Sequence, residues 1–126
     1  MRRGDGDAAN VAVGKVSVLK IDRDFILRRD WMRDYLWLIL TICQRYEVNV
    51  VSVRICNSRR KGQHFYVQIT PPVEAELANK LQMLLGDDCQ RVAFNRARIA
   101  SGLNEWNKLF EEPEVRLRTI YRADAA

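Results

Sequence analysis

A chain of 126 residues, 48% hydrophobic and 29% charged, has the size and make-up of one folded domain rather than of a disordered segment. Three cysteines with no C-x-x-C pair, together with a single histidine, leave structural zinc without a ligand set. No apolar run reaches the roughly 18–20 residues of a membrane span, and Met1-Arg2-Arg3-Gly4-Asp5 opens no secretory signal, so a cytoplasmic location without a membrane partner is expected.

The formal charge is +5, and 16 of the 21 basic residues are arginine. The guanidinium is a planar fork of donors that grips phosphate in bidentate fashion and stacks on bases. This balance favours a polyanionic partner, nucleic acid or nucleotides.

Residues 1–14, rich in Gly, Asp and Ala, read as a mobile tail, and residues 123–126 as a second short one. Val16-Ser17-Val18-Leu19-Lys20-Ile21-Asp22 carries apolar residues at both parities, the pattern of a central strand covered on both faces. Asp30 suits the N-cap of a helix through Tyr46, whose stripe is Met32, Tyr35, Leu36, Ile39, Cys43 and Tyr46, widened by Trp31, Leu38 and Ile42. Trp37 falls off that stripe. Val48–Cys56 and His64–Thr70 alternate with period two around a basic loop, which predicts a hairpin.

Pro71-Pro72 predicts the end of that strand and the first turn of a helix over 72–86, with Gly86 just past its end. Asp87 or Asp88 caps a further helix to about Ala100, which Gly102 ends, and Trp106 and Phe110 supply apolar anchors beyond it. Over 115–121, Val115, Leu117, Thr119 and Tyr121 alternate with Arg116, Arg118 and Arg122, which predicts an edge strand with arginines outward; a helix is the alternative there. The result is one α+β domain over 15–122, ordered β-α-β-β-α-(α)-β. That is the ferredoxin-like or RRM-like plan, a mainly antiparallel sheet with helices on one face.

Parity then assigns the second face. If Phe65, Val67 and Ile69 meet the helices, His64, Tyr66 and Gln68 point away, with Ser52 and Arg54 beside them and Lys20 and Asp22 on the first strand. Asp24 follows that strand's end, and two carboxylates two residues apart suit a divalent ion such as Mg or Mn. Ser58-Arg59-Arg60-Lys61 suits a phosphate, and Tyr66 a stacked base. The arginines at 91, 96 and 98 form a second basic group on a helix, with a solvated helix face as the plainer reading.

Asp22-Arg23-Asp24 after an early strand, then Ser58 leading to Gly62-Gln63-His64-Phe65-Tyr66-Val67, resembles the archaeo-eukaryotic primase–polymerase family. The likeness spans roughly Lys15 to Ile99. It implies an RRM-like catalytic core, metal on Asp22 and Asp24, nucleotide phosphates on Ser58 and His64, and a link to DNA replication. It also implies a third acidic residue, for which Asp87 and Asp88 follow a helix and Asn95 is neutral, so a minimal or degenerate relative is expected.

Three readings follow. The first is a domain binding nucleic acid, single-stranded by preference, through Lys20, Arg54, Ser58, Arg59, Arg60, Lys61, His64 and Tyr66. The second is a metal-dependent nucleotidyl-transfer or phosphodiester enzyme with Asp22, Asp24 and His64 as its catalytic set. The third is a protein-interaction module. Efficient polymerase activity is not expected from two carboxylates alone.

Overall fold

The computed structural model describes residues 14–24, 26–57, 62–109 and 117–124. In chain order these form β1 (Val16–Arg23), α1 (Arg29–Arg45), β2 (Asn49–Asn57), β3 (Gln63–Val73), α2 (Ala75–Leu84), α3 (Cys89–Ala100) and β4 (Arg118–Arg122). The four strands make one antiparallel sheet in the order β1-β3-β2-β4. The expected α+β class and ferredoxin-like element order are borne out.

One sheet face carries Leu19, Ile21, Val53, Ile55, Phe65, Val67 and Ile69. Onto it α1 packs Tyr35, Ile39 and Cys43, and α2 packs Ala78 and Leu81, in a single core. The Tyr35 and Phe65 rings meet edge to face with centroids 4.9 Å apart. Each large apolar side chain fully buried there contributes roughly 1.5–3 kcal/mol of transfer free energy. Trp37 is exposed as its spacing predicts, but Trp31 and Leu38 also face solvent and do not widen the stripe.

The first strand departs from its expected place, because β1 is an edge strand. Its outward backbone groups are met by three side chains and one main-chain N–H instead of by another strand. Lys20 N donates to Gln82 Oε1 (3.0 Å), and Arg91 Nη2 donates to Lys20 O (3.1 Å). Asp22 N donates to Asp87 Oδ1 (2.9 Å), and Asp88 N donates to Asp22 O (3.0 Å). The apolar run with both parities arises because the register shifts between Val16 and Val18, so Val16 packs against the same core as Leu19 and Ile21.

Three element boundaries shift. The N-cap of α1 is Arg28, and Asp30 sits in the first turn, 3.2 Å from the Arg28 guanidinium. Pro71 and Pro72 continue β3, with a cis Thr70-Pro71 bond, and α2 starts only at Ala75. Proline is tolerated there because β2 pairs no further than Thr70, so no ladder hydrogen bond is demanded of the two residues on that side. In β4 an irregularity between the pairs Val53–Tyr121 and Arg54–Thr119 makes Ile120 an extra residue. Arg118 therefore lies opposite Ile55 on the helix side, not outward, while Val115 and Arg116 fall outside the described residues.

All three helices end the same way. Val48 N bonds Cys43 O after α1, Asp87 N bonds Gln82 O after α2, and Leu103 N bonds Arg98 O after α3, each with a left-handed residue just before the donor. That residue is Gly86 (φ 92°) and Gly102 (φ 78°) in two cases, and Glu47 (φ 61°) in the first. At Gly86 a Cβ would also meet Arg23 Nη1, so a side chain there would displace that guanidinium from the Leu85 carbonyl.

Asp87 is buried, and burial pushes its carboxyl above the usual 3.8 against the opposing pull of the Arg91 guanidinium and the Asp22 and Asp88 N–H groups. The folded state thus holds this proton to higher pH than the unfolded chain does. Its contribution is fullest below about pH 4 and is lost as pH rises through the raised value. We expect Asp87→Asn, which keeps an acceptor but cannot titrate, to gain on the natural chain as pH rises from about 4. Urea unfolding of both across that range measures the difference, and a gap that moves the other way contradicts the assignment.

Candidate nucleic-acid interface

The register places the parity-predicted residues in rows on the second sheet face. Asp22, His64 and Cys56 form one row, Lys20, Tyr66, Arg54 and Thr119 the next, and Val18, Gln68, Ser52 and Arg122 a third. The structure brings Lys20, Asp22, Ser52, Arg54, His64, Tyr66 and Gln68 to one face as expected. Gln68, Thr119 and Arg122 are exposed on that face, but its two rings are not. Tyr66 is 4% exposed and His64 9% exposed, so neither ring offers itself to a base or a phosphate as it stands.

His64 already has an anionic partner, with Nε2 3.4 Å from Asp22 Oδ1. Lys20 and Arg54 flank the buried Tyr66 ring and are half-buried themselves. Asp24 sits past the strand end and is exposed. Among the described residues no three His, Cys, Asp or Glu side chains gather as metal ligands would, so Asp22, Asp24 and His64 do not form a joint centre. Two carboxylates, one of them paired with His64, do not fit a two-metal Mg or Mn site. Ser58, Arg59, Arg60 and Lys61 lie outside the described residues.

Of the basic group on α3, Arg91 and Arg98 make structural contacts, while Arg96 is exposed as on a solvated helix face. Arg91, half-buried, is the partner of the buried Asp87, at 3.1 Å, and its guanidinium also donates to Asn107 Oδ1 (3.0 Å) and to the Lys108 carbonyl. Asn95 is fully buried and donates to Asn79 Oδ1 (3.2 Å), while Asn79 donates to Val92 O (3.1 Å), which fastens α2 to α3. Arg98 reaches Asn95 Oδ1 and lies over the Phe94 ring.

Unpredicted by the sequence, a pocket of about 470 Å³ opens beside the N-terminal half of α1. Arg29, Met32, Arg33 and Leu36 line it from one side of that helix, their spacings of three and four placing them together. Ile26 and Leu27 come from the segment after β1, Asn57 from the end of β2, Gln63 from the start of β3, and Arg118 and Ile120 from β4. Gln63 braces the site: Leu27 N donates to its Oε1 (2.8 Å), and its Nε2 donates to Asn57 Oδ1 (3.3 Å). No acidic side chain is among these lining residues. The Arg29/Arg33 spacing was visible in the sequence, but Arg118 depends on the β4 irregularity, which no local pattern announces.

Comparison with family models, curated proteins and solved structures finds no match.

The buried His64 and exposed Asp24 should differ sharply on truncation. We expect His64→Ala to lower the unfolding free energy by about 1–3 kcal/mol and Asp24→Ala to change it by less than about 0.5 kcal/mol. Chemical denaturation of both variants measures this, and a larger loss for Asp24→Ala would contradict the placement.

Proposed function

We propose that the domain binds single-stranded nucleic acid through the basic end of its sheet rather than through the face around His64. The observation that carries this reading is the convergence of Arg29, Arg33 and Arg118, from two separate elements, on one pocket with no carboxylate among its described lining residues. The basic stretch Ser58-Arg59-Arg60-Lys61 joins β2 to β3, whose Asn57 and Gln63 line the same pocket. Arginine's fork suits phosphate oxygens, and the apolar side chains between the arginines suit bases that a single strand leaves unstacked. Catalysis by Asp22, Asp24 and His64 is the weaker reading, since these three do not gather as metal ligands.

Each neutralised phosphate on a single strand releases counterions, so log affinity should fall with log salt by about 0.7 per contact. We expect Arg29, Arg33 and Arg118, replaced together by alanine, to flatten that slope by about two units, the sum of three such contacts. Fluorescence anisotropy with a labelled oligonucleotide between about 50 and 300 mM salt measures it. Affinity that does not respond to salt would overturn the proposal.

A further inference from the structure

We infer that the pocket beside α1 admits one unstacked nucleotide, with its base against the apolar wall and its phosphate on the arginines. The inference rests on the nucleic-acid reading and specifies what the pocket holds. A volume of about 470 Å³ is that of a small-molecule site, which spans roughly 300–1,000 Å³, and exceeds what a lone phosphate contact needs.

Its lining has two chemistries. Met32, Leu36 and Ile120 present an apolar surface, and Arg29, Arg33 and Arg118 present cations beside it. A bare phosphate would use only the cations, and a neutral apolar body only the wall. A nucleotide uses both, because its base is flat and weakly polar on its faces while its phosphate is anionic. The guanidinium planes can also stack on the base.

Asn57 is placed to read the base edge. The Gln63 carboxamide is buried and held, its oxygen by Leu27 N and its nitrogen by Asn57 Oδ1. The Asn57 oxygen is thus used, while its Nδ2 donates to nothing among the described residues. Asn57 Nδ2 is therefore the donor for a carbonyl or ring-nitrogen acceptor on the base.

The test compares two labelled oligonucleotides of equal length and charge, one intact and one abasic throughout, on the natural full chain. A base held in the pocket makes the abasic strand bind roughly tenfold more weakly while the salt slope stays the same. Competition adds a second readout: a nucleoside monophosphate should displace the strand at concentrations where inorganic phosphate and the free nucleoside do not. Equal affinity for both strands, with the salt slope retained, overturns the nucleotide pocket and leaves the nucleic-acid reading standing. Loss of salt-dependent binding altogether overturns both.

Discussion

The outer edge of β1 is closed by the α2–α3 corner, and much of the fold hangs on that closure. An unpaired strand edge exposes a row of donors and acceptors that invites pairing with other chains. Here Gln82, Asp87, Asp88 and Arg91 take up both backbone groups of Lys20 and of Asp22. Gln82 and Arg91 are held in turn by Asn107, beside the buried Trp106. Asp87 is buried and Arg91 half-buried, so desolvation offsets much of the pair's Coulomb attraction. Its value lies in geometry, since one carboxylate oxygen fixes β1, the turn and α3 at once.

The same corner reaches α1. The Leu85 carbonyl at the end of α2 accepts from the Tyr35 hydroxyl and from Arg23 Nη1, and the Arg23 guanidinium lies over the Tyr35 ring at 4.8 Å. Burial raises the Tyr35 hydroxyl to about 12, which keeps its donor proton in place at any physiological pH. With the β1 edge occupied by α2 and α3, the last strand lies against β2 on the far side. That placement brings Arg118 and Ile120 towards the start of α1, where Arg29 and Arg33 already lie. The candidate binding pocket is thus a consequence of how the opposite edge is closed.

Period-two and period-3.6 patterns made the element order and the core face legible in the sequence, because parity at Phe65, Val67 and Ile69 and the stripe at Tyr35, Ile39 and Cys43 are local properties. Asp88 as the cap of α3 was also legible, and its side chain accepts from Gln90 N and Arg91 N as a capping aspartate should. What local pattern could not supply was pairing between distant segments. Nothing near β1 announces that its edge will be covered by Gln82 and Asp87, some 60 residues later. The extra residue at Ile120 reverses part of β4 relative to strict alternation, which is why Arg118 changed sides. Parity also says which way Tyr66 and His64 point but not whether they are covered, and Arg91 reads as a surface cation because its buried partner, Asp87, lies before the helix.

On the proposed reading the basic end of the sheet, not the face around His64, meets the ligand. Amide chemical-shift mapping of the ¹⁵N-labelled chain during titration with a short single-stranded oligonucleotide tests it most directly. The result expected is that the shifts concentrate at Ile26–Leu36, Asn57, Gly62–Gln63 and Arg118–Ile120. Shifts confined instead to Lys20, Asp22, Arg54, His64, Tyr66 and Gln68, with the α1 end unmoved, would contradict it.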